Sequence, residues 1–385
     1  MADQMEPHGT LDYAEIAALG LHPDELVVFS SNVNPYGPPP AVVKGVVEAL
    51  TPAIVARYPD RLSGALRARL AAHHGVPAEA ILVGNGTADI LWLIGLCYAR
   101  GRRVALLTPT FSEYEHVARL MDAQVIRVCH PGWTTAPDGS YHPGETTVQD
   151  TGRALAAARP DLVFVCNPNN PTGHWLTLDE MEMLAAAAPE ALWVVDEAYV
   201  EFMAQPKSSV AWIQQGRWRG RWLVLRSMTK DFALGGLRLG YVVGEPALIA
   251  SLQAAQPPWN VNAVAQLAGI LCMDQMAWRD ETLARLRADR DVFCQELRAA
   301  GFAPLPTTVN YFLTPVSAPT ALRRALLARR LVVRDATSFG LTGYIRLATQ
   351  RPEHNRLLVQ ALKEVAPSLR TADSRPSAAN SRRAG

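Results

Sequence analysis

The sequence predicts an α/β protein: a large domain with a mostly parallel sheet covered by helices on both faces, followed by a smaller C-terminal α+β domain. Three observations carry this. Short apolar runs, such as Leu162-Val163-Phe164-Val165-Cys166, Leu192-Trp193-Val194-Val195 and Trp222-Leu223-Val224-Leu225, alternate with helical patterns up to residue 255. Each of these three runs leads into a polar cluster, as expected where strand ends of a parallel sheet converge on a crevice. Beyond residue 300 the alternation gives way to short strands and helices of a second, smaller unit.

Taken in order, residues 1–40 form an arm with His8-Gly9 near its start and a short helical pattern at 13–19. Its second half, through Asn32-Val33-Asn34-Pro35-Tyr36-Gly37, is forced by Pro and Gly into an extended, turning path. Such a segment can cross an active-site mouth, with Val33 and Asn34 toward substrate, or serve as a plain linker. The large domain, 41–255, contains a helix at 41–50, Arg57-Tyr58-Pro59-Asp60, and an amphipathic helix at 63–74 with Leu66 and Leu70 at helical spacing. A glycine turn, Gly84-Asn85-Gly86-Thr87, opens a helix to residue 99. Strands at 103–107, 124–128, 162–166 and 192–195 follow, separated by helices at 112–122, 151–158 and 179–188, with a polar link at 131–145. A connecting helical region, 256–300, begins where Gln256-Pro257-Pro258 breaks the preceding helix. The small domain, 301–366, has strands at 311–313, 331–334 and 344–347 and helices at 320–329 and 353–365. The Ser-, Arg- and Ala-rich residues 367–385 read as a disordered tail.

Composition narrows the function. A chain of 385 residues with 49% hydrophobic and 19% charged residues folds as a globular protein, and a formal charge of +1 gives no general pull toward nucleic acid or an acidic membrane. Small molecules and a second copy of the chain are the expected partners. Five scattered cysteines form neither a zinc-ligand pattern nor a disulfide framework, no HExxH motif occurs, and no metal is expected. A reducing cytoplasm fits this usage. The acidic N-terminus lacks the apolar core of a secretory signal, and no run of 18 uncharged apolar residues suggests a membrane span. The glycine clusters match neither GxGxxG nor the P-loop.

The chemistry concentrates after residue 226. Ser227-Met228-Thr229-Lys230 follows a buried strand, and Arg238 lies eight residues beyond the lysine. This stretch can hold an aldehyde cofactor as an imine and grip its phosphate, or be a glycine-rich surface loop. Pyridoxal phosphate needs such a lysine, an acid beside its ring nitrogen, donors to its ring oxygen, phosphate ligands and a flat group over the ring. Asp196 can be the acid, Asn170 and Tyr199 the donors, and Phe111 the ring. Gly86, Thr87 and Ala88, at a helix start, can meet the phosphate with Ser227, Thr229 and Arg238. Singly, Asp196 can be a helix cap, Tyr199 a core aromatic, Phe111 a buried ring and Gly86-Thr87 an ordinary turn. Together, in order and at strand ends, they point to pyridoxal 5'-phosphate.

On the motifs Asn169-Asn170-Pro171-Thr172-Gly173, Asp196-Glu197-Ala198-Tyr199 and Ser227-Met228-Thr229-Lys230 with Arg238, the chain resembles the fold-type-I pyridoxal-phosphate-dependent enzymes of the histidinol-phosphate aminotransferase class. The resemblance covers residues 8–362. It implies that Lys230 is the Schiff-base lysine and general acid/base, that Arg346 takes the substrate carboxylate and that Arg334 lies near a substrate phosphate. It also implies a homodimer in which Tyr58 reaches the partner's cofactor phosphate. Four stretches are more similar to the threonine-phosphate decarboxylases of cobalamin biosynthesis: the His8-Gly9 arm, residues 225–230, Pro258-Trp259-Asn260-Val261-Asn262-Ala263 and Arg334-Asp335-Ala336-Thr337-Ser338-Phe339. In the arm, Thr10 stands where those enzymes usually carry a second glycine. The bond held perpendicular to the cofactor ring is the one that breaks, so substrate tilt decides between carbon dioxide loss and transamination. The expected function is decarboxylation of a phosphorylated amino acid, L-threonine O-3-phosphate to (R)-1-aminopropan-2-yl phosphate. The alternatives are a histidinol-phosphate-type aminotransferase using 2-oxoglutarate and glutamate, and a catalytically silent cofactor-binding protein, against which the retained Lys230 argues.

Overall fold

The computed structural model describes residues 11–216 and 220–373. His8, Gly9 and Thr10 lie outside the described residues, as do residues 374–385. In chain order the strands are β1 (Val27–Val28), β2 (Ile81–Gly84), β3 (Arg103–Thr108), β4 (Gln124–Cys129), β5 (Trp133–Thr135), β6 (Tyr141–Pro143) and β7 (Leu162–Cys166). They continue with β8 (Leu192–Asp196), β9 (Arg221–Ser227), β10 (Gly240–Gly244), β11 (Tyr311–Pro315), β12 (Leu331–Val332), β13 (Arg334–Asp335) and β14 (Tyr344–Ala348).

Seven strands form the main sheet in the order β2-β10-β9-β8-β7-β3-β4. Only β10 runs antiparallel to its neighbours there. Both faces are covered, which is why these strands are continuous apolar runs rather than alternating ones. Leu162, Phe164, Val194, Leu223 and Leu225 pack on one side with Ile90, Tyr114 and Leu252 of helices Gly86–Ile94, Glu113–Leu120 and Pro246–Ala255. The intervening Val163, Val165, Trp193, Val195 and Trp222 pack on the other with Leu155 and Leu184 of helices Val148–Ala158 and Leu178–Ala187. Each fully buried side chain of this kind stabilises the fold by about 1.5–3 kcal/mol relative to exposure.

Past residue 300, in the part expected as a small domain, a separate antiparallel sheet forms in the order β11-β14-β13. Phe312, Ile345 and Leu347 pack there against Phe293, Leu322, Leu326, Leu358 and Leu362 from helices Met276–Ala299, Pro319–Leu327 and Pro352–Asp373. The arm is stitched into it: β1 pairs in parallel with β12, and buried Phe29 joins the same core.

Four details differ from the sequence reading. The segment expected as one strand at 331–334 is two, because the chain pairs first with β1 and then with β14. The polar link at 131–145 contains the hairpin β5–β6. Its Trp133 is buried against Leu313, Ala336 and Phe339, and Tyr141 N–H donates to the Gly340 carbonyl at 2.8 Å, so small-domain residues far along the chain order it. The final helix runs to Asp373, past the 366 boundary, since propagation beyond the turn anchored by Leu362 and Val365 costs little once the helix is nucleated. Strands β2 and β10, not singled out from sequence, form the edge of the sheet and its one antiparallel neighbour.

Candidate active site

Register across the sheet brings the expected residues to one edge. Cys166 is paired with Asp196, and Asp196 with Leu225, while Ser227 is paired with Gly240 and Gly240 with Gly84. The loops that follow β7, β8 and β9 therefore deliver Asn170, Tyr199 and Lys230 side by side, as the strand-end rule requires.

A cup for a phosphate lies at one end. Helix Gly86–Ile94 begins without a side-chain cap, so N–H groups of its first turn are left for a ligand. Gly86 has φ +79, and a Cβ there would lie 2.7 Å from Nη2 of Arg238. A Cβ on Gly240 would meet the Thr87 nitrogen at 2.8 Å. Both glycines are thus required by close approach, and they set Gly86, Thr87 and Ala88 beside the arginine. Arg238 is steadied by a bond from Nη1 to the Gly235 carbonyl at 3.1 Å, and the hydroxyls of Ser227 and Thr229 lie 2.7 Å apart.

Asp196 is buried. Its Oδ2 accepts the Tyr114 hydroxyl at 2.8 Å and its Oδ1 the Ala198 N–H at 3.0 Å. Burial pushes this carboxyl above the usual range, while Tyr114, Ala198 and the Lys230 charge pull it back. Tyr199 is buried, and burial pushes its phenol up to about 12. Its oxygen accepts Nδ2 of Asn32 at 3.3 Å, and its ring meets Tyr311 edge-on at 4.8 Å. Nζ of Lys230 lies 6.0 Å from the Tyr199 ring centre. Burial lowers this amine to about 8, helped by the charges of Arg346 and Arg238 and opposed by Asp196. Phe111, half-buried, meets Tyr114 edge-on at 5.5 Å.

On the small-domain side, buried Arg346 donates from Nη1 to Oδ1 of Asn170 and from Nη2 to the Ser30 carbonyl at 2.6 Å. Among the described residues no carboxylate pairs with it, and burial draws it below the usual arginine range. Arg334 lies directly across from it in the sheet, bonded from Nη2 to the Ser338 hydroxyl at 2.7 Å. Both guanidiniums lie near Phe339, at 5.0 Å for Arg334 and 5.8 Å for Arg346 from the ring centre.

The Asn34 side chain is bonded within the protein: its Nδ2 donates to the Asp231 carbonyl and to the Thr282 hydroxyl, each at 3.1 Å, and its Oδ1 accepts the Tyr36 N–H. With Asn34 N–H bonded to the Lys230 carbonyl at 2.9 Å, this residue ties the crossing segment to the lysine loop, next to half-buried Val33. Tyr58, expected to reach a partner subunit, is 80% exposed, and its ring centre lies 4.7 Å from that of the exposed Trp259, with 36° between planes.

Behind the lysine loop is a charge network invisible in the sequence pattern. Arg226 bridges Glu197 at 3.4 Å and also Glu201, while Arg279 bridges Glu201 at 3.2 Å and Asp231 at 3.8 Å. Burial works against the Arg226 charge, but Tyr241, Glu201, Glu197 and Asp231 together raise it. These groups line a cavity of about 20 Å³, room for little more than one water. Removing one partner strands buried charge, so Arg226→Ala is expected to destabilise the protein by about 3–5 kcal/mol. A fall in the midpoint of urea unfolding would measure this, and an unchanged midpoint would contradict it.

Sequence reasoning missed Tyr114, Asn32 and Ser30. Tyr114 carried a signal: it follows Phe111 by three residues at a helix start and so lies on the same face. Asn32 and Ser30 carried none, because they act through contacts with residues 167 or more positions away.

The donor set fits pyridoxal phosphate: a cup whose glycines admit an arginine and free N–H groups, a buried acid, and a lysine whose burial favours the neutral amine. Residues 24–362 match the family described as Aminotransferase class I and II. The chain is 36% identical to a histidinol-phosphate aminotransferase of Symbiobacterium thermophilum, over 90% of this chain and 91% of that protein. It is 33% identical to a threonine-phosphate decarboxylase of Salmonella typhimurium, over 95% and 98%. The solved L-threonine-O-3-phosphate decarboxylase of Porphyromonas gingivalis superposes with a TM-score of 0.75 at 27% identity, covering 87% of this chain and 98% of that one. No helix among the described residues is long and apolar enough to cross a membrane. The chain belongs to the aminotransferase class I and II family, enzymes of the fold-type-I architecture that depend on pyridoxal phosphate.

Proposed function

We propose that this enzyme decarboxylates a phosphorylated amino acid, L-threonine O-3-phosphate, with Lys230 as its covalent and proton-transferring residue. The observation that carries this is the pair of buried arginines, Arg346 and Arg334, fixed across one sheet from each other. A substrate bearing a carboxylate and a phosphate at once answers both. Arg346, without an acid partner among the described residues, offers its fork to the carboxylate, and Arg334 faces the phosphate. His8 and Gly9 of the arm belong to the phosphate side by resemblance. The relative matched over 95% of this chain is itself named a threonine-phosphate decarboxylase.

In this reading Gly86, Thr87, Ala88, Ser227, Thr229 and Arg238 hold the cofactor phosphate, Asp196 meets the ring nitrogen, Asn170 and Tyr199 meet the ring oxygen, and Phe111 covers the ring. The bound cofactor supplies an electron sink for the pair left on Cα. Arg346 and Asn170, bonded to each other, would hold and orient the substrate carboxylate for release as carbon dioxide. Lys230, lowered to about 8, is neutral in roughly a tenth of molecules at pH 7 and largely protonated otherwise, so it can take up a proton and return it to Cα. Because the neutral amine is the nucleophile, covalent cofactor uptake by the apoenzyme is expected to speed up as pH rises and to level off above about 8. Stopped-flow absorbance would follow it, and a rate flat from pH 6 to 9 would contradict the assignment.

A second reading is transamination of a histidinol-phosphate type, favoured by the 36% identity to such an enzyme. Incubating the purified enzyme with threonine phosphate, and separately with histidinol phosphate plus 2-oxoglutarate, separates them. Carbon dioxide released without an oxo-acid acceptor supports decarboxylation; glutamate formation from the second mixture sinks it. The exposed Tyr58 and Trp259, with exposed Val47, Leu50 and Val55 nearby in sequence, suit a homodimer in which Tyr58 reaches the partner's cofactor phosphate. Sedimentation velocity showing a monomer would exclude it.

A further inference from the structure

We propose that Tyr114 is a positioning residue for the cofactor acid: its hydroxyl, donated to Asp196, keeps that carboxylate ionised and in one orientation for the ring nitrogen of bound pyridoxal phosphate. This rests on the placement of Asp196 at that nitrogen, proposed above.

Asp196 sits on β8 with Leu192 and Val194 on the same side of the strand, a side otherwise filled by apolar residues. An ionised carboxylate is costly there unless donors face it. The titratable groups around it are Tyr114 from helix Glu113–Leu120, Cys166 from β7, Lys230 from the loop after β9, Tyr199 from its own loop and Tyr311 from β11. Among the described residues, Tyr114 is the side chain that donates a hydrogen bond to it, at 2.8 Å; the other oxygen is taken by the Ala198 N–H. Cys166 does not replace it, since its thiol donates to the Pro168 carbonyl at 3.3 Å and burial keeps it protonated.

Packing fixes where the phenol points. The Tyr114 ring lies parallel to Phe164 at 5.1 Å, with 3° between planes, and edge-on to Phe111 at 5.5 Å. One residue therefore braces both the acid and the ring expected over the cofactor. A hydrogen bond to an ionised group is worth more than a neutral one, so its loss should be read in cofactor affinity as well as rate.

The test is Tyr114→Phe, which keeps the ring packing and removes the hydroxyl. The dissociation constant for pyridoxal phosphate is expected to rise about tenfold or more. Losing a donor lifts the Asp196 pKa further, so the pH below which cofactor is released should move upward by about one unit. In an Asp196→Asn background the same change should add little, because a neutral amide has no ionised form for the hydroxyl to stabilise. If Asp196→Asn weakens binding while Tyr114→Phe leaves both the constant and the acid limb unchanged, or if the two effects add in full, the role of Tyr114 is overturned. If Asp196→Asn has no effect on affinity or spectrum, the placement of Asp196 fails instead. Should the Phe variant not fold, 3-fluorotyrosine at position 114, a stronger donor of the same shape, must move the acid limb downward; an unmoved limb overturns the proposal.

Discussion

Replacing Lys230 with alanine is expected to lower turnover by at least about 10⁴-fold and to abolish the visible absorbance of covalently held cofactor. Two losses combine. The nucleophile that anchors the cofactor disappears, and so does the group that moves a proton at Cα, a role worth about 10²–10⁴-fold by itself. The surroundings are built for a neutral amine: burial leads the shift to about 8, and the Arg346 and Arg238 charges add to it. The loop is held independently of the side chain, by Asn34 N–H on the Lys230 carbonyl and by the Asn34 amide on the Asp231 carbonyl. The variant should therefore fold normally. Lys230→Arg, which keeps a charge but offers no neutral amine near pH 7, should be equally inactive. Steady-state assays with threonine phosphate, together with the absorbance spectrum, check both; full turnover with unchanged absorbance in the alanine variant would undo the whole site assignment.

Arg346→Ala is expected to lower kcat/KM for threonine phosphate by about 10²–10³-fold, since truncating one partner of a buried charged pair costs about 2–5 kcal/mol. Arg346→Lys should recover only part of this, because a point charge cannot reproduce the two-pronged contact. The arginine also holds Asn170 and the Ser30 carbonyl, so part of any loss is structural. The product amine separates the two contributions. It has a phosphate and no carboxylate, so its inhibition constant should change little in Arg346→Ala and rise in Arg334→Ala. Equal weakening of substrate and product in Arg346→Ala would remove the carboxylate role and leave only a scaffold role.

These two arginines also show how a site differs from a core. Each is buried in a sheet of apolar residues, and among the described residues no carboxylate pairs with Arg346. In the proposed reading the substrate carboxylate supplies that missing charge. The network of Arg226, Glu197, Glu201, Arg279 and Asp231 answers the same difficulty within the protein, each arginine being paired with at least two carboxylates.

Much of the fold was legible because the signals are local. Apolar runs such as 162–166 and 192–195 are buried on both faces, so their composition alone marks them as central strands. The site was legible for a related reason: parallel strands gather their C-terminal loops at one edge, so Asn170, Asp196, Tyr199 and Lys230 could be placed together from their positions after strand ends. The bonds of Asn34 were not legible, because a polar residue in a crossing segment can face either the ligand or the neighbouring loop, and its hydrogen bonds to Asp231 and Thr282 are long-range. The hairpin at 133–143 was hidden because its buried face is completed by Leu313, Ala336 and Phe339.

By itself, then, the sequence determined the strand and helix order, the edge at which chemistry gathers and the residue types assembled there, since periodicity and strand-end position are properties of neighbouring residues. Only the tertiary structure decided that Tyr114 serves Asp196, that Arg346 is bound by Asn170 and Ser30, and that Arg334 stands opposite Arg346. Those pairings join segments up to 316 residues apart, and they are selected by how burial, charge and hydrogen-bond geometry are satisfied jointly in the folded chain.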